Sequence, residues 1–264
     1  MKHRTSPLLM GALNITPDSF YEQSRYFVLE HAIERGMEMI REGVDIVDIG
    51  GVSTRPGAAS VKEGEEMLRV IPIIEALSGK IPISIDTYNV AVAKCAVEKG
   101  ATIINDITGF TNPEMQELAA TCSADLCVMH MQGSPQTMQI NPFYPEGVIE
   151  HIMLFFDRQI RALVSRGVHE SRIILDPGIG FGKTIKHNLT ILQNIDRFKT
   201  FGLRLLVGAS RKWFLQQILG KPAREVLTAT LVVHAQCVTK GVDIIRAHDI
   251  REHREALDIL KTLT

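Results

Sequence analysis

Eight short apolar runs divide the chain, and each is followed by a polar or Gly-containing turn and then a helical pattern. The runs are Leu8–Asn14, Asp45–Ile49, Ile83–Asp86, Thr102–Asp106, Leu126–His130, Ile173–Asp176, Leu205–Val207 and Asp243–Arg246. Several are nearly continuous in Val, Ile and Leu, as strands covered on both faces by helices must be. Eight strand–helix alternations predict an α/β chain folded as a single (β/α)8 TIM barrel over residues 1–264. An open doubly wound sheet is the alternative from pattern alone. No strand-linked GxGxxG supports its usual dinucleotide-binding version.

Helix boundaries are written in local chemistry. Ile33–Glu42 and Asn89–Lys99 each end at a glycine, Gly43 and Gly100, the residue suited to the left-handed position after a helix. Thr111-Asn-Pro-Glu114 reads as a helix start with Pro in the first turn. Ser60-Val-Lys-Glu63 has capping-box spacing and opens a segment whose Met67, Ile71, Ile74 and Leu77 share a stripe. Ile149–Arg166 is amphipathic and closes near Gly167.

The 29 Lys and Arg against 30 Asp and Glu leave a net charge of -1, which removes a global basic field for nucleic acid or an anionic membrane. No run of about 20 apolar residues predicts a membrane span. The basic start, Met1 to Pro7, lacks the apolar core of a signal peptide. Cys95, Cys122, Cys127 and Cys237 form no CxxC, and we expect reduced, mostly buried thiols in a cytoplasmic protein.

Polar residues gather where the runs stop. Asn14, Asp86, Asn105 with Asp106, Asp176, and Arg246 with His248 end five of them, and Ser210-Arg211-Lys212 follows the seventh. A lone Asp at a strand end is often just a helix cap. In a parallel barrel, though, all these ends converge on the face that carries catalysis. Two Gly-rich loops join them. Gly50-Gly-Val-Ser-Thr-Arg-Pro-Gly-Ala58 offers backbone donors, hydroxyls and Arg55, which suits a phosphate; the bland reading is a turn shaped by Gly and Pro. Asp176-Pro-Gly-Ile-Gly-Phe-Gly-Lys-Thr184 fails as a P-loop, because Pro177 stands where the first Gly is required. Its Phe181 could wall a pocket for a flat ring.

Taken together, these segments resemble the dihydropteroate synthase family. The matching pieces are Met10-Gly-Ala-Leu-Asn-Ile-Thr-Pro-Asp-Ser-Phe20, Gly50-Gly-Val-Ser-Thr-Arg-Pro-Gly57, Ser84-Ile-Asp-Thr87, Ile104-Asn-Asp-Ile107, Met129-His-Met-Gln-Gly133, Asp176-Pro-Gly-Ile-Gly-Phe-Gly-Lys183, Gly208-Ala-Ser-Arg-Lys212 and Arg246-Ala-His248. Each is short; the ordered set is specific. The resemblance implies a cytoplasmic, homodimeric barrel acting in folate biosynthesis. It would join p-aminobenzoate to 7,8-dihydropterin-6-ylmethyl diphosphate, releasing diphosphate with Mg2+ present. It further implies that Asp86, Asn105, Asp176, Lys212 and Arg246 bind the pterin. Asn14, Thr54, Arg55, Arg246 and His248 would surround the diphosphate, with Asn14 the metal-associated residue. Thr54, Pro56, Phe181 and Ser210 would form the p-aminobenzoate pocket. Asp18 would join Arg55 and Lys212 in catalysis when the loops close.

The residue types suit that chemistry. A carboxylate accepts from a pterin's amino group and ring N–H, Asn and Lys donate, and Arg stacks on a flat ring. Mg2+ takes oxygen ligands and phosphate partners. The motifs offer no activated serine or cysteine with an adjacent base, so no enzyme nucleophile is expected and the step should be a cation-like displacement at the pterin methylene. Two departures from the family stand out. Tyr21-Glu-Gln-Ser-Arg-Tyr26 replaces a Gly-containing stretch, and Val52 stands where Glu is common. His130 and Lys183 are left without a role. The rival readings are a pterin-dependent methyltransferase and a noncatalytic pterin-binding barrel.

Overall fold

The computed structural model describes residues 7–15, 22–53 and 61–263. Eight parallel strands close into a barrel in chain order: β1 (Leu8–Asn14), β2 (Ile46–Gly50), β3 (Ile83–Asp86), β4 (Ile103–Asp106), β5 (Asp125–Met129), β6 (Ile173–Asp176), β7 (Arg204–Val207) and β8 (Ile244–Ala247). β8 pairs back onto β1, with Leu9 opposite Ile245. Each strand lies within one residue of its expected bounds. The helices are α1 (Glu22–Arg41), α2 (Glu63–Leu77), α3 (Val90–Glu98), α4 (Pro113–Thr121), α5 (Val148–Val164), α6 (Ile185–Gln193), α7 (Trp213–Leu219), α8 (Leu227–Thr239) and α9 (Ile250–Leu263).

Period-2 alternation sorts each strand between two cores. Leu9, Val47, Ile49, Ile83, Ile85 and Ile104 point outward into the layer shared with the helices. Met10, Ile46, Ile103, Cys127, Ile174, Leu206 and Ile244 point inward and form a dry plug. Each fully buried apolar side chain contributes roughly 1.5–3 kcal/mol, so the plug and outer layer carry the stability. Two residues further along four of these strands, the same inward face turns polar. Ile46 is followed by Asp48, Ile103 by Asn105, Ile174 by Asp176 and Ile244 by Arg246. A polar floor therefore rests directly on an apolar plug.

The caps mostly follow the local chemistry. The Asn89 side chain accepts from the Ala91 N–H at α3, and Asn112 accepts from Glu114 with Pro113 opening α4. Gly43, Gly100 and Gly167 all have positive φ. α2 corrects one expectation: it begins at Glu63 with Lys62 at the cap position and no side-chain cap bond. Ser60 lies outside the described residues. Three acidic residues in the first turn, Glu63, Glu65 and Glu66, face the helix dipole instead. The stripe is also rotated: Val70, Ile73, Ile74 and Leu77 are buried, while Met67 and Ile71 are half-buried at its edge. Residues 67–74 are apolar nearly all round, so their pattern does not fix the face. Residues 22–26 of the Gly-free stretch after Phe20 form the start of α1; Tyr21 lies outside the described residues.

Candidate active site

The polar floor is an ion network. The Arg246 guanidinium donates through Nε to Asp48 Oδ2 at 2.6 Å and through Nη2 to Asp86 Oδ2 at 3.0 Å. Asn105 Nδ2 reaches both Asp48 oxygens at 3.4 Å, leaving Asn105 Oδ1 buried without a partner. Burial and then the neighbouring Asp48 charge push the Asp86 carboxyl up to about 7, despite Arg246. Burial pulls Arg246 down, but Asp48 and Asp86 outweigh it, and its pKa is raised above the ordinary arginine value. The Asp176 carboxyl is raised by burial, while the Gly178 N–H donates to its Oδ1 at 2.7 Å.

The loop after β6 explains its glycines. Gly178, Gly180 and Gly182 all adopt left-handed φ of 67°, 84° and 62°. A Cβ on Gly178 would lie 1.9 Å from the His130 carbonyl oxygen, and one on Gly182 would lie 2.7 Å from that of Gln132. The alternation of glycine with Ile179 and Phe181 turns Phe181 toward Lys212, whose Nζ stands 4.1 Å from the ring centroid. Lys212 Nζ also donates to the Ile179 carbonyl at 2.5 Å. Burial lowers its pKa to about 8 even though Asp176 opposes the shift.

Lys183 and His130 acquire a place here. Lys183 is fully buried and does not begin a helix; Thr184 caps α6 instead. Its Nζ donates to the carbonyls of Phe181 at 2.8 Å and His130 at 3.2 Å, and meets His130 Nδ1 at 3.0 Å. Burial holds both Lys183 and His130 well below their usual pKa values. The pair braces the back of the Phe181 loop.

On the opposite rim, Ser210 Oγ accepts from the His248 N–H at 3.3 Å and meets His248 Nδ1 at 3.0 Å. The contact does not make Ser210 an activated nucleophile, because the imidazole is a poor base. Burial, then the Arg246 charge, lowers its pKa to about 4. Arg211, at φ 54°, turns away and clasps Asp249 with two bonds of 2.8 and 2.6 Å.

Asn14 is exposed at the end of β1. A Cβ on the intervening Gly50 would lie 3.5 Å from both Asn14 Oδ1 and Asp86 Cβ, so the amide oxygen sits at the rim beside Asp86. Among the described residues no three His, Cys, Asp or Glu side chains cluster to hold a metal. The Asn14 amide oxygen is the kind of donor a hard cation takes alongside phosphate oxygens and water.

The fold thus brings Asn14, Asp86, Asn105, Asp176, Lys212, Arg246, His248, Ser210 and Phe181 to one mouth. Asp18, Thr54, Arg55 and Pro56 lie outside the described residues. The base of their second loop is fixed. Arg69 Nη1 donates to the Gly51 carbonyl at 2.8 Å, and a Cβ on Gly51 would meet Val70 at 2.8 Å. Asp106, grouped with the strand-end set, takes the bland role. Its carboxylate caps the next turn through Thr108 and Phe110. Asp48 is the residue that sequence reasoning missed. It lies inside a run rather than at its end, and the available signal was a carboxylate two residues after an inward Ile.

The comparisons agree with this geometry. A family described as pterin binding enzyme matches residues 10–248. The dihydropteroate synthase of Haemophilus influenzae is 38% identical over 255 residues, 96% of this chain and 92% of that protein. The crystal structure of the Yersinia pestis dihydropteroate synthase with a sulfonamide drug superposes with a TM-score of 0.92 at 38% identity, covering 98% of this chain and 94% of that one. The Xanthomonas albilineans dihydropteroate synthase with 4-aminobenzoic acid gives 0.90 at 32% identity, covering 97% and 93%. With a family match across the whole barrel and relatives this similar over nearly their full length, the chain belongs to the dihydropteroate synthase family of pterin-binding enzymes.

Proposed function

We infer that this chain is a transferase of folate biosynthesis that condenses 7,8-dihydropterin-6-ylmethyl diphosphate with p-aminobenzoate, giving 7,8-dihydropteroate and diphosphate. The observation that carries this reading is the polar floor of the barrel, where two carboxylates, an amide and two cations face a common space above the plug. Asp176 and Asp86 accept from the pterin's amino group and ring N–H. Asn105 accepts through its unpartnered Oδ1, and Lys212 donates to the ring carbonyl side. Arg246 covers the ring face and turns its charge toward the diphosphate.

The bond from methylene carbon to diphosphate oxygen breaks as negative charge gathers on the leaving group. Arg55, Arg246, Thr54 and His248 surround that charge. Asn14 would hold Mg2+, which when bound would supply positive charge at the diphosphate. The pterin ring shares the positive charge left on the methylene. The p-aminobenzoate nitrogen then forms the new bond and loses a proton. Ser210, Phe181, Thr54 and Pro56 hold the amine. With a neighbouring imidazole pKa of about 4, Ser210 is a binding hydroxyl and not a nucleophile. The parts given to Asp18, Thr54, Arg55 and Pro56 rest on the family resemblance.

The second copy implied by the resemblance finds apolar surface on α7 and α8, where Trp213, Ile218, Leu219 and Val232 are exposed. The four cysteines are unpaired, as in the reducing cytoplasm where we place the enzyme. Among the described residues no helix is long and apolar enough to cross a membrane. The test is a coupled assay for dihydropteroate, with and without Mg2+. Diphosphate release that depends on p-aminobenzoate supports the synthase. Pterin binding with no release supports the noncatalytic barrel, and methyl transfer supports the methyltransferase.

A further inference from the structure

Two buried histidines outside the mouth are joined in a chain whose ends are both backbone groups. The Ala209 N–H donates to His234 Nε2 at 3.0 Å. His234 Nδ1 meets His253 Nε2 at 2.8 Å, and His253 Nδ1 meets the Asp249 carbonyl at 2.6 Å. His234 is 2% exposed and His253 1%.

The two ends fix every proton between them. An amide N–H only donates, so His234 Nε2 must carry a lone pair and its hydrogen must sit on Nδ1. That hydrogen is donated to His253 Nε2, which must therefore also be bare. The His253 hydrogen then sits on Nδ1 and goes to a carbonyl that only accepts. Both rings are neutral Nδ1–H tautomers, and every position on the chain is used. A second proton on either ring would set N–H against N–H.

The chain grips one particular segment. His234 and Thr230 lie one turn apart on α8, and Thr230 Oγ1 accepts from the Arg211 N–H at 3.1 Å. One helix face thus holds the amides of Ala209 and Arg211, on either side of Ser210. Arg211 sits at a positive φ that non-glycine residues seldom adopt. Its clasp on Asp249 ties the same segment to the start of α9, where His253 is anchored.

We propose that His234 and His253 are positioning residues for this reaction: a neutral two-imidazole relay that sets the turn after β7, so that Ser210 faces the p-aminobenzoate pocket. The proposal rests on the role given above to Ser210. Its charge environment supports it. His248, Lys212 and His253 stand around His234, and Asp249, Glu252 and Arg211 around His253. Burial lowers both imidazoles below their usual pKa, His234 the more strongly.

Two measurements test it. Nitrogen NMR of the full chain with labelled histidine reports the tautomers directly. Two rings protonated at Nδ1, bare at Nε2 and unchanged from about pH 5.5 to 8 are expected. An Nε2–H tautomer at either ring, or titration within that range, overturns the relay. Steady-state kinetics report the positioning. His234→Leu should raise the KM for p-aminobenzoate about tenfold, the scale of a lost buried hydrogen bond. The KM for the pterin diphosphate should change less than about twofold. His234→Gln, which keeps an acceptor within reach of the Ala209 N–H, should recover most of the difference and serves if the Leu variant fails to fold. An equal rise in both KM values, or a Gln variant no better than Leu, overturns the proposal. Absence of dihydropteroate formation by the unsubstituted chain strikes the functional reading instead, and it is seen separately from the nitrogen shifts.

Discussion

Replacing Asp48 by Asn should move the titration of Asp86, a residue it does not touch. Both carboxylates bond to one guanidinium, Asp48 at Nε and Asp86 at Nη2. Carboxylates sharing a guanidinium lie within about 6 Å of each other, where like charges at an effective dielectric near 20 repel by about 3 kcal/mol. That corresponds to about two pK units as a ceiling. Arg246 compensates part of it now and would turn more fully to Asp86 in the variant. The Asp86 carboxyl, now near 7, should therefore fall by about one to two units. Burial, the larger cause of its elevation, is unchanged and should keep it above the usual carboxylate value. Carbon NMR of labelled aspartate in the free protein follows the titration directly. An Asp86 midpoint unmoved, or moved upward, would show that the two carboxylates are not coupled and that the network is misread.

The same shift makes a stability statement with a definite sign. The folded pKa of Asp86 stands above the ordinary aspartate value of 3.8, so between the two the folded chain holds a proton that the unfolded chain has released. Its contribution to stability is present below about pH 4 and is lost as pH rises toward 7. Asp48→Asn should flatten that loss in denaturant melts across the window. The substitution also weakens a buried charge-assisted bond, costing roughly 1.5–3 kcal/mol at neutral pH.

Other substitutions probe the rest of the mouth. Asp176→Asn keeps the shape but replaces an acceptor by a donor, and should weaken pterin binding by about one to two decades in calorimetry; unchanged affinity removes Asp176 from the site. Lys212→Ala should abolish turnover with the melting temperature nearly kept, and normal turnover would reduce the segment to a helix start. Gly178→Ala places a Cβ 1.9 Å from a carbonyl oxygen at φ 67°, and should cost at least about 2 kcal/mol in denaturant melts. A loss under about 0.5 kcal/mol would show that the Phe181 loop yields freely.

Much of this was legible in the chain because a parallel barrel repeats one decision eight times. Strands buried on both faces need continuous Val, Ile and Leu, and the polar residues that end five of the runs mark the mouth. Asp86, Asn105, Asp176 and Arg246 were readable for that reason. What the pattern left dark depends on contacts distant in sequence. Nothing near Lys183 announces that its amine closes on His130, 53 residues away. The Ser210–His248 bond spans 38 residues and joins two different strand ends. Asp106 looked like its neighbour Asn105, yet one inward and one outward position separates a residue of the polar floor from a turn cap.

Asp48 shows why the end of a run is the wrong marker to trust alone. A barrel strand tilts, so the height at which its inward face leaves the plug differs from strand to strand. In β6 that height coincides with the last residue, Asp176. In β2 it comes two residues earlier, because Asp48 pairs across to Ala12 and Ser84 while Gly50 pairs with Asn14 and Asp86. The register sets the polar floor, and the chain continues past it. The variable that locates a site residue is therefore its step from the last inward apolar side chain. By that count Asp48, Asn105, Asp176 and Arg246 are equivalent, each two residues beyond a plug isoleucine. The equivalence explains why one guanidinium from β8 can reach across the barrel to a carboxylate on β2. It also makes Asp48 a member of the polar floor on the same physical ground as the residues that were visible from the start.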